Sequence, residues 1–284
     1  MNININFFSL DFPDKDPVFA RFPFVYDGAK LSRPACAVSS RFAGDMGRIP
    51  GQDNPAREKF LRALERALGL DPAWVFSVAQ VHSRNVIAVD RLSAKTGPEA
   101  DGLVSGDPAL SLAVMVADCL PVFLYDVEGG AFALVHSGWK GTGIVLEALR
   151  LMREHRRTRP EAVAAVLGPC IQGCCYRVDE ARSRAFQAEF GGSSGAFPLG
   201  PVVIERAGLP DGPGFFLSLQ AANARLLANA GVRNIAVCRD CTFTDERLGS
   251  FRRQGPASYT RMLAVLVSGG RHLCVSPTCV SPAP

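Results

Sequence analysis

The sequence predicts a single α+β domain in which mixed β-sheets pack together and helices flank them. Several short apolar runs follow one another in the middle of the chain without a helical segment between them, which argues against a doubly wound parallel sheet. Segments with helical apolar periodicity stand before and after these runs. Nearly half of the 284 residues are hydrophobic, so the chain can bury a large core.

The strands are predicted from short runs of apolar and β-branched residues, each bounded by Gly, Pro, Asp or Ser. They are expected at 74–81, 86–90, 110–117, 121–126, 131–135, 162–167, 234–238 and 262–267. Residues 126–130 are predicted to turn a hairpin. These consecutive strands are the reason for expecting mixed sheets.

The first predicted helix has clear signals at both ends. It covers 55–68, follows Asn54 as its N-cap and carries a proline at its first position. Gly69 supplies the residue that commonly ends a helix. The segment is therefore predicted to be helical from Pro55 onward.

Three further helices are predicted from periodicity. The second begins near Gly141 or Thr142, and the residues expected to face inward are Val145, Leu146, Leu149 and Met152. The third covers 179–190 and the fourth 218–230. Residues 191–214 are rich in Gly and Pro and are predicted to form a long loop.

Composition and charge narrow the classes of function. The 31 Lys and Arg nearly balance the 27 Asp and Glu, which gives no electrostatic case for nucleic acid but allows a small anionic substrate. Residues 1–16 contain no basic leader and no apolar run reaches membrane-spanning length, so a cytoplasmic protein without a membrane partner is expected. Nine irregularly spaced cysteines indicate reduced thiols. The oligomeric state is not predicted.

Three metal-competent residues stand at the ends of predicted strands: His82, Cys119 and His136. A lone Cys or His is more often a buried core residue, but three such placements in a chain with four histidines are hard to attribute to chance. Two imidazoles and one thiolate can hold zinc tetrahedrally and leave its fourth position open, as in catalytic sites. We therefore expect a Zn²⁺ ion that activates water.

The segment after His136 suggests an anion site. The sequence Ser-Gly-Trp-Lys-Gly-Thr forms a Gly-rich turn that is expected to open a helix. Backbone N–H groups at Gly138 and Gly141, together with the charge of Lys140, could bind phosphate there. A tight turn beside a hydrogen-bonded core histidine explains the same residues equally well.

Two more candidates have alternatives of equal weight. Asp118, beside Cys119, could carry a proton, orient the site or simply serve as a turn residue. Arg252 and Arg253 could bind a substrate phosphate or belong to an exposed charged loop.

The remaining cysteines are predicted to be structural. Cys238, Cys241, Cys274 and Cys279 could together form a four-thiolate zinc site. Their spacing is irregular, however, so we favour thiols that bind no common ion. Cys170, Cys174 and Cys175 are expected to pack in a turn.

Six segments of the chain occur in the order seen in one known family: Gln80-Val81-His82, Ala100-Asp101-Gly102, Ala117-Asp118-Cys119-Leu120-Pro121, His136-Ser137-Gly138-Trp139, Gly168-Pro169 with Cys175-Tyr176, and Ser250-Phe251-Arg252-Arg253. The chain thus resembles the laccase-domain family, also called polyphenol oxidase or peptidoglycan editing factor proteins, over 35–267. Outside that range, 1–34 is expected to be an N-terminal segment, and 268–284, which lacks apolar periodicity, is expected to be a mobile tail.

The resemblance implies zinc ligands at His82, Cys119 and His136 and a substrate contact at Arg41. It also implies mixed sheets with helices outside, purine nucleoside phosphorolysis and adenosine deamination, with a nucleoside and phosphate as partners. Four histidines cannot supply the copper cluster that a laccase needs to reduce oxygen, which favours zinc. With zinc bound, an acidified water could attack C6 of adenine, and a phosphate could attack the ribose C1′.

The alternatives come from other classes of function. Cys119 could be a metal-free nucleophile activated by His136, as in a thiol amidase or deamidase acting on an amide such as a peptidoglycan precursor. The chain could also bind a metal without catalysing a reaction.

Overall fold

The computed structural model describes residues 3–12, 18–47, 52–93, 96–192, 197–210 and 212–269. Its strands are β1 (Asn4–Phe8), β2 (Phe19–Tyr26), β3 (Ala29–Ser39), β4 (Val75–Ala79), β5 (Val86–Ala88), β6 (Thr96–Glu99), β7 (Gly102–Ser105), β8 (Ser111–Val116), β9 (Leu120–Asp126), β10 (Phe132–Ser137), β11 (Val163–Leu167), β12 (Arg177–Val178), β13 (Val203–Arg206), β14 (Gly214–Leu217), β15 (Asn234–Cys238) and β16 (Met262–Val267). Its α-helices are α1 (Pro55–Leu68), α2 (Ile144–Arg156), α3 (Glu180–Phe190), α4 (Leu219–Asn229) and α5 (Phe251–Gln254).

Two large mixed sheets and one small sheet organise the chain. The seven-stranded sheet has the order β1-β15-β11-β9-β10-β7-β5, and the six-stranded sheet has the order β2-β3-β16-β8-β4-β6. Strand β9 pairs antiparallel with both neighbours, whereas β15 pairs parallel with β1 and β11. The predicted mixed sheets are confirmed. A three-stranded antiparallel sheet, β12-β14-β13, lies apart from both.

The two large sheets pack face to face, and helices cover their outer faces. Helices α2, α3 and α4 pack on the seven-stranded sheet, and α1 packs on the six-stranded sheet. Because each sheet is covered on both faces, successive residues of a strand enter different cores: in β9, Val122 and Leu124 face the helices and Phe123 faces the other sheet. The aromatic residues fully buried between the sheets include Phe24, Phe76, Phe123 and Phe132. This architecture confirms the α+β class with flanking helices.

Helix α1 begins and ends where its sequence predicts. The Asn54 side chain accepts a hydrogen bond from the N–H of Arg57 at 3.0 Å, which satisfies a donor of the first turn. Gly69 has a φ of 66° in the left-handed region, and its N–H donates to the Glu65 carbonyl at 2.9 Å. Local capping signals thus account for both ends.

The structure corrects two predictions. Leu146 is exposed, because α2 starts at Ile144 and buries a stripe that includes Val145, Leu149 and Met152. The predicted loop at 191–214 contains strand β13, which pairs antiparallel with β14.

The N-terminal strands belong to the two large sheets. Strands β1 and β2 pair with β15 and β3, so the predicted domain boundary at residue 35 falls inside strand β3. Of the predicted tail, residues 270–284 lie outside the described residues. Within the described part of the chain, no helix combines the length and the apolar character that crossing a bilayer requires.

Candidate metal centre and its cavity

The three predicted metal ligands come together at one end of the sheets. His82 follows β4, Cys119 immediately precedes β9, and His136 is the last but one residue of β10. Their ligand atoms all lie within 4.8 Å of one another. The antiparallel register sets His136 opposite Pro121, two residues from Cys119, so pairing of the two strands itself brings these ligands together.

The geometry of the two imidazoles also suits binding to one metal ion. The ring centroids of His82 and His136 are 4.9 Å apart and their planes meet at 78°. His136 is buried, Cys119 is partly exposed and His82 is exposed. The cluster therefore has an open side at His82.

The carboxylate of Asp101, a fully buried residue just before β7, connects two of the ligands. Its Oδ1 lies 2.8 Å from Nδ1 of His136 and accepts the backbone N–H of His82 at 3.0 Å. Its Oδ2 accepts the N–H groups of Val81 and Ser83 at 3.2 and 2.6 Å, and the Ser83 hydroxyl at 2.8 Å. Because Nδ1 of His136 is engaged, its Nε2 is the atom left for a metal.

Burial and charge set the protonation states around this carboxylate. Burial raises the pKa of Asp101, but hydrogen bonds from His136 and Ser83 outweigh it and lower the pKa to about 2. Burial lowers the pKa of His136, yet the charge of Cys119 and the bond to Asp101 raise it overall. Burial raises the pKa of Cys119, but the two histidines bring it below its usual value. The lowered pKa favours the thiolate of Cys119, which is the form that ligates metals.

Two residues at the site have a left-handed backbone, which is uncommon outside glycine. They are His82 with a φ of 60° and Asp118 with a φ of 84°. The carboxylate of Asp118 accepts the Thr242 hydroxyl at 2.6 Å and the N–H of Arg252 at 2.7 Å, and its carbonyl accepts the N–H of Ile171 at 2.9 Å. These bonds fix the link that presents Cys119.

Glycine at two positions lets the turn after His136 approach the ligands. A Cβ atom on Gly138 would lie 3.0 Å from the Cys119 sulfur and 3.4 Å from Cδ2 of His82. A Cβ atom on Gly141 would lie 2.9 Å from the carbonyl oxygen of Ser83. Both predicted residues therefore belong to the close packing around the cluster.

The cluster opens into a cavity of about 520 Å³, a size suited to a small molecule. Its lining combines the three ligands with aromatic and basic side chains, among them Trp139, Tyr176, Phe251, Tyr259, Arg182, Arg252 and Arg261. The guanidinium of Arg182 lies 4.5 Å from the Trp139 ring centroid, and that of Arg252 lies 5.2 Å from the Tyr176 centroid. The cavity thus offers aromatic faces and positive charge beside the cluster.

Two predicted substrate contacts lie elsewhere. Lys140 is exposed, with Nζ 5.6 Å from the Trp139 ring centroid, and Nε of Arg41 donates to the backbone carbonyl of Glu246. Neither is among the described residues that line the cavity. Helix α2 begins three residues after Gly141, so its N-terminus is displaced from the predicted anion position. Arg252 does line the cavity.

Sequence reasoning did not select Asp101 or Arg182 as site residues. The sequence did point to Asp101, because Ala100-Asp101-Gly102 is one of the segments that resemble the family and it precedes a strand. Arg182 carried none, since it lies on helix α3 among other charged residues. Its place beside the cavity depends on how α3 packs.

Comparison with known proteins identifies similar chains. The family described as multi-copper polyphenol oxidoreductase laccase matches residues 42–268. A protein of Corynebacterium glutamicum named purine nucleoside phosphorylase is 32% identical over 239 residues, covering 79% of this chain and 91% of that protein. A protein of the same name from Mycobacterium bovis is 35% identical over 207 residues, covering 72% and 77%.

Solved structures give the same relationship at the level of the fold. The crystal structure of YlmD from Geobacillus stearothermophilus has a TM-score of 0.74 and 25% sequence identity, covering 91% of this chain and 98% of that one. The structure of NMB0706 from Neisseria meningitidis has a TM-score of 0.68 and 25% identity, covering 84% and 96%.

Proposed function

The chain belongs to the family described as multi-copper polyphenol oxidoreductase laccase, and we propose that it is a zinc-dependent purine nucleoside enzyme. The reactions proposed are phosphorolysis of adenosine- or inosine-type nucleosides and deamination of adenosine. The names of the relatives support an enzyme that acts on purine nucleosides. The observation that carries the proposal is the convergence of His82, Cys119 and His136 at the wall of one cavity.

The donor set fits zinc. Two imidazoles and a thiolate are ligands that zinc accepts, and three protein ligands leave a fourth position for a reactant. The second nitrogen of His136 is bonded to Asp101, the arrangement by which proteins commonly orient a metal-binding histidine. Zinc bound there would supply Lewis-acid chemistry at the cavity wall.

The aromatic side chains of the cavity are proposed to bind the purine. Phe251 and Tyr259 pack edge to face with their centroids 5.0 Å apart, and Trp139 and Tyr176 line the same cavity. A purine is flat and apolar on its faces, so stacking on such rings would hold it without requiring a particular substituent. We therefore assign this part of the cavity to the base.

The arginines of the cavity are proposed to bind phosphate. Arg252 combines a guanidinium near Tyr176 with a backbone N–H that is fixed by Asp118. Arg182 lies on the same cavity, and a guanidinium can form paired hydrogen bonds with phosphate oxygens. The turn with Gly138, Lys140 and Gly141 remains a second proposed position for the anion. Substitutions of Lys140 and Arg252 distinguish the two positions.

Four residues are proposed to act at the reacting atoms or to position them. Cys119 and His136 would hold the metal, and the buried Asp101 would keep the His136 ring in place. Both carboxylate oxygens of Asp118 already accept hydrogen bonds, so its proposed role is to position Cys119 and Arg252, with proton transfer as the alternative.

A thiol amidase is the second candidate. The lowered pKa of Cys119 beside His136 is also what a cysteine nucleophile and its acid–base partner would show. The sulfur is bound to the metal in the first candidate and free in the second. A thiolate that ligates a metal cannot also attack an amide carbon. Activity towards an amide that is lost when zinc is added would favour the amidase.

Product analysis tests the proposed function. Zinc-loaded protein is incubated with adenosine and with inosine, in buffer with and without phosphate. Free base that appears only with phosphate indicates phosphorolysis, and inosine formed from adenosine in either buffer indicates deamination. A Cys119→Ser variant should give neither product. No product with either nucleoside would contradict the proposal.

A further inference from the structure

A second group of thiols lies outside the cavity that contains Cys119. Cys174 and Cys175 lie in the turn after β11, which is closed by a hydrogen bond from the N–H of Cys175 to the Gln172 carbonyl at 2.8 Å. Cys241 follows β15 and forms an isolated bridge with Cys170. The sulfur atoms of Cys174, Cys175 and Cys241 all lie within 4.8 Å of one another. Two distant segments of the chain thus bring three thiols together.

The surroundings of Cys241 favour negative charge, and the exposure of Cys174 allows access to the three thiols. The N–H of Gln172 points at the Cys241 sulfur, 3.4 Å away. The guanidinium of Arg206 donates to the carbonyls of Gly173 and Cys174 at 3.2 and 3.1 Å, which places a positive charge at the turn. Cys241 is buried, whereas Cys174 is exposed. An ion could enter from the side of Cys174.

The spacing suits a soft cation. Zinc–sulfur bonds of about 2.3 Å in a tetrahedral site separate the sulfur atoms by about 3.8 Å. The Cys174 and Cys175 sulfurs are 3.1 Å apart, and none of the three pairs exceeds 4.8 Å, so small side-chain rotations reach that geometry. Thiolates select zinc and copper(I) over magnesium and calcium.

We propose that Cys174, Cys175 and Cys241 form a second metal site, a three-thiolate site for a soft cation such as Zn²⁺, with its fourth position open to solvent. The ion would join the turn after β11 to the segment after β15. It shares no ligand with the cluster of His82, Cys119 and His136, and it does not depend on the substrate of that cavity.

The second site would support the link that carries Cys119. Thr242, next to Cys241, donates its N–H to the Cys170 carbonyl at 3.1 Å and its hydroxyl to Asp118 at 2.6 Å. Fixing Cys241 therefore fixes a hydrogen-bond partner of Asp118. Its ligands do not line the cavity among the described residues, so the proposed ion would act on the fold rather than on the substrate of that cavity.

This grouping differs from the four-thiolate set written from the sequence. Cys238 is buried and its sulfur lies 3.3 Å from a carboxylate oxygen of Asp240. Cys274 and Cys279 lie outside the described residues. The thiols that the structure sets beside Cys241 are instead those of the turn.

The test is a Cd²⁺ titration of the full chain under a phosphine reductant, followed by sulfur-to-cadmium charge-transfer absorbance. The starting protein carries His82→Ala and Cys119→Ser, which remove two ligands of the cavity site. It should bind one Cd²⁺ with the absorbance of three thiolates. Adding Cys174→Ser and Cys175→Ser should weaken binding by more than about 100-fold, because even loss of a residue that only supports a ligand costs ~10–100-fold.

Matched variants make the result decisive. Cys36→Ala removes a buried thiol of β3 and should leave the titration unchanged. Cys174 is exposed, so Cys174→Ser alone tests the site in a chain that keeps its fold, as checked by its thermal midpoint without metal. Absence of the charge-transfer band in the starting protein, or equal binding after both serine substitutions, would overturn the proposal.

Discussion

Asp101 and His136 form a buried pair, with 2.8 Å between Oδ1 of the carboxylate and Nδ1 of the imidazole. The same oxygen accepts the N–H of His82. One carboxylate therefore orients the ring of one proposed metal ligand and the backbone of another. Removing the charge of this residue should therefore loosen the placement of both.

The first prediction concerns this carboxylate. Asp101→Asn should lower zinc affinity by ~10–100-fold, because an amide cannot accept all the hydrogen bonds that the carboxylate accepts. The measurement is competition with a chromophoric chelator. Asp107→Asn, which removes the carboxylate paired with Arg91 on the surface, is the control and should bind zinc like the unchanged chain. Unaltered affinity in Asp101→Asn would show that the pair does not support the metal.

The second prediction concerns space at the cluster. Gly138→Ala introduces a methyl group 3.0 Å from the Cys119 sulfur and should weaken zinc binding by about tenfold or more, since overpacking costs ~1–3 kcal/mol. Far-ultraviolet circular dichroism should stay the same. A variant that binds zinc and turns over nucleoside normally would mean that the sulfur moves away at no cost.

The third prediction separates two positions for phosphate. Arg252→Met should raise the KM for phosphate about tenfold or more, because a hydrogen bond to a charged group contributes ~1.5–3 kcal/mol. Deamination uses water and should change little. Lys140→Met is the matched comparison, since Lys140 is exposed and outside the described cavity lining. The reverse pattern, with Lys140→Met alone affecting phosphate, would return the anion to the turn after His136.

The fourth prediction separates core packing from substrate binding. Phe123 is fully buried between the sheets and meets Phe22 edge to face at 5.5 Å, so Phe123→Ala should lower the free energy of unfolding by ~3–5 kcal/mol. Phe251 lines the cavity and is exposed, so Phe251→Ala should raise the KM for nucleoside with little loss of stability. Denaturant unfolding measures the free energy of unfolding, and initial rates measure the KM. A large loss of stability in Phe251→Ala would remove Phe251 from the proposed base site.

The elements predicted correctly are those with local signals. Asn54 and Gly69 bound helix α1 through contacts within a few residues, and strand β16 is an uninterrupted apolar run. Strand β2 was missed because its place depends on pairing with β3 and on packing against the distant β11. Strand β13 was missed because it lies in a Gly/Pro-rich segment and is defined by its hairpin partner.

The same distinction applies to the site. His82, Cys119 and His136 could be selected as candidate ligands because their chemistry and strand-end positions are visible in the sequence. The place of Arg182 in the cavity could not be predicted from the sequence, since it depends on how helix α3 packs. The association of Cys241 with Cys174 likewise joins segments that are far apart in the sequence. Tertiary packing therefore decides the parts that sequence patterns leave open.

Anomalous diffraction at the zinc edge, from crystals of the zinc-loaded protein, tests the central claim most directly. The account predicts a peak among His82, Cys119 and His136, at about 2.0–2.1 Å from the two nitrogens and about 2.3 Å from the sulfur. A further peak at Cys241 would concern the separate second site. A structure with zinc bound elsewhere, and with no peak among these three residues, would contradict the account.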